Sequence, residues 1–74
     1  MFQKVKDKFL EYVEYPEDQF TEATKIIADL QMNSLDIITL LGDFEEEYDI
    51  SFDEEEIRNI ITIGDFVKLL KSKI

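Results

Sequence analysis

Three observations predict an all-α fold, a small helical bundle. Apolar residues recur at three- and four-residue spacing in several stretches, cap-forming residues stand ahead of most of them, and no run alternates at period two for long enough to make a sheet. Seventy-four residues are expected to form one domain, 1–74, around a single modest core, with stability near the low end of about 5–15 kcal/mol.

The first helix is expected from about Phe2 to Val13. Phe2, Val5, Phe9, Tyr12 and Val13 share a face, and Lys4, Lys6, Lys8 and Glu11 fall between them. Pro16 ends any continuation. From Glu14 to Asn33 the pattern is irregular, long for a compact domain unless apolar side chains pin it down. Phe20, Ile26, Ile27, Leu30 and Met32 are the candidate anchors, with a short helical turn after Thr24. The second helix starts after Asn33 and ends near Asp49, with Leu35, Ile38, Leu41, Phe44 and Tyr48 assigned to its buried side, flanked by Ile37 and Leu40. Asp36, Asp43, Glu46 and Glu47 are assigned to its outer side.

Ser51-Phe52-Asp53-Glu54 resembles a capping box, and the acids from Asp53 to Glu56 suit the first turn of a short third helix with Ile57, Ile60 and Ile61 as its apolar residues. Thr62 with Asp65 caps the last helix. That helix should bury Ile63, Phe66, Val67, Leu70 and Ile74, while Lys68, Lys71 and Lys73 favour its negative end. Tyr48-Asp49-Ile50-Ser51-Phe52, the nearest approach to alternation, reads as an interhelical loop.

Lys and Arg number 8 against 18 Asp and Glu, a formal net charge of −10. Such a surface repels nucleic acid and anionic membrane and attracts basic protein patches. Between Leu35 and Ile60 there are ten acids and one base, Arg58, so nearly the whole imbalance lies there. A solvated helix face normally mixes signs to gain pairs four residues apart, whereas this one repels itself; a docking surface for cationic partners accounts for it better.

The chain has no cysteine and no histidine. Disulfides, thiolate metal sites and thiol catalysis are excluded, and so is a serine hydrolase triad. No apolar run reaches the length of a signal or membrane-spanning segment, so a soluble, cytoplasmic protein is expected, without membrane insertion. A calcium loop is a sharper rival for the acids: Asp43, Glu45, Glu47, Asp49, Ser51 and Glu54 fit the first, third, fifth, seventh, ninth and twelfth ligand places. Tyr48 occupies the place that demands glycine, and the apolar helix period runs through it; loose divalent binding is what remains.

Ser34 is the candidate functional residue. Asn33 is a good N-cap and Asp36 favours the positive end of the helix, so Ser34 becomes the first helical residue with its hydroxyl not needed for capping. A phosphate on that oxygen would meet free N–H groups and a favourable dipole. A serine near a helix start is ordinarily only a cap, and the acidic platform beside this one is what sets it apart.

Leu30-Gln31-Met32-Asn33-Ser34-Leu35-Asp36, followed by Phe44-Glu45-Glu46-Glu47-Tyr48, resembles the acyl carrier protein family, along nearly the whole chain and most strongly from Leu30 to Leu70. The resemblance implies an up-and-down four-helix bundle with a short third helix and a long loop between helices I and II. It implies 4′-phosphopantetheine, drawn from coenzyme A, on Ser34, the serine of the family's Asp-Ser-Leu motif. The prosthetic thiol would carry acyl groups as thioesters, and the protein would catalyse nothing itself.

Expected partners are a phosphopantetheinyl transferase and acyl-handling enzymes with basic docking patches, meeting a monomer at Leu35, Asp36, Asp43, Glu46 and Glu47. Leu41, Phe44, Ile57, Ile60 and Phe66 are candidates to line an acyl pocket, or equally to form ordinary core. Four positions depart from the family's pattern: Asn33 for aspartate, Gln31 for glycine, Thr39 for an acid, and Gly42 for a larger apolar residue. They suggest a specialised pathway. The other reading of the same features is an unmodified acidic helical module for protein interaction.

Overall fold

The computed structural model describes residues 1–74, with four α-helices and no strand: α1 (Phe2–Tyr12), α2 (Ser34–Tyr48), α3 (Glu54–Arg58) and α4 (Ile63–Lys73). α1 packs against both α2 and α4. It buries Val5 and Phe9 and stops where Val13 turns extended ahead of Pro16, whose fixed φ leads into a single 3-10 turn at Glu17–Gln19.

α2 begins at the predicted residue. The Asn33 side chain accepts the Asp36 N–H at 2.8 Å, and the far end closes through a left-handed Asp49 and the Ile50 N–H returning to the Glu45 carbonyl at 3.1 Å. Its inward face is not the predicted one. Leu40, Leu41 and Phe44 are buried with Ile37 and Tyr48 partly so, whereas Leu35 and Ile38 are 72% and 60% exposed. At about 100° per residue, the stripe centred on Ile37, Leu41, Phe44 and Tyr48 turns Leu35 almost opposite to the core and Ile38 to its margin.

α3 starts two residues later than Ser51 would place it. Asp53 is the cap, and Asp53 and Glu56 exchange both bonds of the capping box at 2.8 and 3.0 Å. Phe52 decides the register: it is buried against Phe66, and its N–H donates to Glu45 Oε2 at 2.8 Å, so the chain is still extended there. α3 ends at Arg58, which leaves Ile60 and Ile61 beyond it; Ile60 is half-buried and Ile61 exposed. The Thr62–Asp65 capping box of α4 forms as predicted, over buried Ile63, Phe66, Val67 and Leu70, while Ile74 at the chain end is exposed.

The long α1–α2 connection is held down along its length. Phe20, Ile26, Leu30 and Met32 enter the core; Ile27 points outward. Backbone bonds staple the loop to the start of α4: Ile26 N–H to Ile61 O, Ile63 N–H to Thr24 O and Gly64 N–H to Glu22 O, at 3.0, 2.9 and 2.8 Å. Lys25 and Thr62 thereby form an isolated antiparallel bridge. The helical turn after Thr24 is present, with Asp29 and Leu30 donating to the Lys25 carbonyl. Gly64 allows the close approach of this loop, because a Cβ there would lie 3.1 Å from the Glu22 carbonyl oxygen and the backbone would have to give by a few tenths of an ångström. The radius of gyration, 11.3 Å, is that of a compact chain of this length, so the loop adds no protrusion.

Candidate functional site

Ser34 stands exposed as the first residue of α2. Asn33 supplies the cap and its carbonyl takes the Ile37 N–H, so the Ser34 and Leu35 amides remain open at the helix end and the Ser34 hydroxyl is not consumed by the helix. An anion attached there meets two free donors and the positive end of a four-turn helix.

Beside the serine is a cleft of about 300 Å³, lined by Ile26 and Ile27 from the loop, Ser34, Ile37 and Ile38 from α2, Ile57 and Arg58 from α3, and Ile60. Six isoleucines make it apolar, and Arg58 is its only charged side chain. Of the residues proposed for an acyl pocket, only Ile57 and Ile60 line it. Leu41, Phe44 and Phe66 lie in the packed core, where the Phe44 and Phe66 rings meet edge to face at 5.1 Å and Phe66 also contacts Phe9 and Phe52. Sequence reasoning missed Ile26, Ile27, Ile37, Ile38 and Arg58 as lining residues. The adjacent pairs Ile26-Ile27 and Ile37-Ile38 carry the signal: the first of each packs on the core while the second, Ile27 at 66% and Ile38 at 60%, stays exposed, so each pair straddles core and surface.

The five candidate docking residues fall into two groups. Leu35 and Glu46 are exposed and Asp36 is half-buried at the cleft end of α2. Asp43 and Glu47 instead face α1. Asp43 accepts the Tyr12 hydroxyl and lies 4.0 Å from Lys8 Nζ; Glu47 pairs with Lys4 at 3.1 Å, whose ammonium sits over the Tyr48 ring. The bond to Asp43 raises the Tyr12 pKa above the ordinary tyrosine value, and the bond to Glu47 does the same for Lys4. Thr39 donates back to the Leu35 carbonyl at 2.9 Å, presenting a hydroxyl to solvent. Asp43, Glu45 and Glu47 are all on α2, so the loop a calcium site needs does not exist here.

Residues 3–70 match the family described as phosphopantetheine attachment site. An acyl carrier protein of Thermotoga maritima is 38% identical over 74 residues, covering all of this chain and 91% of that protein. This chain belongs to the acyl carrier protein family. An acyl carrier protein of Lactobacillus acidophilus is 32% identical over 72 residues, covering 97% of this chain and 90% of that protein. The solved structure of the acyl carrier protein from Enterococcus faecalis superposes with a TM-score of 0.85 at 25% identity, covering 99% of this chain and 92% of that one. Acyl carrier proteins are carriers and not enzymes; they interact with acyl-handling enzymes and bear covalently attached 4′-phosphopantetheine. The residues at the start of α2 fit such a group: an exposed hydroxyl, two open amides and an apolar cleft at its side. No helix is long and apolar enough to cross a membrane.

Proposed function

We propose that Ser34 bears the 4′-phosphopantetheine and that this single domain, as a cytoplasmic monomer, carries acyl intermediates as thioesters to enzymes of fatty acid, polyketide or related acyl biosynthesis. The observation that carries the reading is the position of Ser34: exposed, first in α2, released from capping by Asn33 and at the edge of the isoleucine cleft. In loading, the Ser34 oxygen forms a bond to phosphorus at the pyrophosphate of coenzyme A. The P–O bond to the adenosine-bearing phosphate breaks, and the serine proton passes to the transferase, since this chain offers no histidine to take it. The group then supplies the thiol that the cysteine-free chain lacks.

Leu35, Asp36 and Glu46 are the contacts offered to basic patches on partner enzymes. Asp43 and Glu47 reach a partner only in competition with Lys8, Tyr12 and Lys4, so their contribution is to steer encounter more than to bind. Asn33, without the charge of an aspartate, favours the other reading, an unmodified interaction module. Intact mass separates the two. After incubation with coenzyme A and a broad-specificity phosphopantetheinyl transferase, the chain should gain one phosphopantetheinyl group, and Ser34→Ala should gain none. No increment in the wild type, or one that survives Ser34→Ala, overturns the assignment.

A further inference from the structure

We infer that Arg58 is a positioning residue for the prosthetic arm: its guanidinium pairs with the phosphodiester on Ser34 and lays the arm along the isoleucine cleft instead of into solvent. The inference rests on Ser34 being the attachment residue and goes beyond it.

Arg58 is the single base among ten acids between Leu35 and Ile60, and the fold sets it in the wall of the one cleft that also contains Ser34. Serine and arginine enter that wall from different helices, α2 and α3, so the juxtaposition is tertiary. Within the chain the guanidinium has only Glu54 at 3.6 Å, one helical turn earlier, with the two side chains 72% and 87% exposed. A charge-assisted bond is shorter, about 2.7–2.9 Å, and an exposed pair of this kind is worth little, so Arg58 is free to exchange partners.

A phosphodiester is the stronger partner, because two of its oxygens match the guanidinium fork. Asp36 on the same turn as Ser34, and Glu54 beside Arg58, would otherwise repel the arriving phosphate; the arginine offsets both. Lys25 lines the neighbouring cavity with Arg58 and adds positive charge on the same side. Once phosphate is held between the open amides of α2 and Arg58, the rest of the arm starts at the cleft mouth, over Ile38 and Ile57.

The test uses the full chain loaded by transferase and checked by intact mass, in wild type, Arg58→Ala, Arg58→Lys and Arg58→Glu, with Lys68→Ala on α4 as a charge control. At low ionic strength the ³¹P resonance of the loaded protein should move in Arg58→Ala and stay in place in Lys68→Ala. The rise in melting temperature from unloaded to loaded protein should be kept in part by Arg58→Lys, lost in Arg58→Ala and reversed in Arg58→Glu. Full loading with an unchanged ³¹P resonance and an unchanged melting increment in Arg58→Ala overturns the role of Arg58 and leaves Ser34 as the carrier residue. Absence of any mass increment removes both.

Discussion

Gln31 adopts φ 56°, in the left-handed region, three residues before Ser34, the proposed attachment residue. Its N–H closes the loop turn on the Ile27 carbonyl at 3.0 Å, so the conformation is set by the stapled loop and the side chain must tolerate it. Gln31→Gly should therefore raise stability by about 0.5–1 kcal/mol, the relief of left-handed strain less the extra freedom of glycine in the unfolded chain, read from urea unfolding midpoints. A loss of stability would mean that the exposed glutamine side chain makes a contact worth more than the strain. The absence of glycine at this position was visible in the sequence; the backbone strain that results was not, because nothing local says that the chain must turn left there. Leu35 and Ile38 show the opposite limit. Their apolar character was read as burial, yet a helix with isoleucine or leucine at 35, 37, 38, 40 and 41 has more apolar residues than one face accommodates, and only packing against α1, and of Phe44 against Phe66 of α4, decides which face wins.

Helix ends were the most legible feature at the scale of elements. Asn33 and Thr62 cap as their spacing to Asp36 and Asp65 requires, whereas α3 shows that two candidate caps in succession, Ser51 and Asp53, are resolved by the burial of the residue between them. Within α2, Gly42 sits where an added Cβ would meet nothing within 4 Å. Gly42→Ala should stabilise by about 1 kcal/mol in thermal unfolding, and an unchanged melting point would show that the helix needs glycine's freedom. The caps also set the acid dependence. Bonds from the Thr62 and Ile61 N–H groups hold the Asp65 carboxyl below the usual aspartate range, and the Asp53 N–H, then Lys73, do the same for Glu56. A lowered folded pKa contributes stability that is present above the unfolded value, about 4, and is lost as pH falls through the folded one. The stability difference between wild type and Asp65→Asn should accordingly be widest near neutrality and narrow below about pH 4, measured by denaturant titration at each pH. A gap that widens in acid would contradict this.

For the whole molecule, charge dominates. Glu11, Glu17, Asp43, Glu47, Glu54 and Glu56 have a cation within 4 Å, while the other twelve acids have none and the chain carries a net charge of −10. Melting temperature should rise with moderate salt, and further with a divalent cation at equal ionic strength; a curve flat in salt would show that the acids do not oppose folding. The α1–α2 loop is where local pattern was least informative. Of the five apolar anchors expected from the sequence four are buried and Ile27 is not, but the bonds from Ile26, Ile63 and Gly64 that fix the loop join segments some 35–42 residues apart in the sequence, a pairing that no local periodicity encodes. The cleft beside Ser34 was hidden for the same reason, since the loop, α2 and α3 each supply part of it. The serine and the acids share α2 and were read together from the sequence, whereas the cleft joins them only in the folded chain. Tandem mass spectrometry of the proteolytic peptide spanning Ser34, taken from protein loaded with coenzyme A and transferase, tests that site directly: fragment ions should place the phosphopantetheinyl group on Ser34, and its location on Thr39, Ser51 or any other hydroxyl would contradict the account.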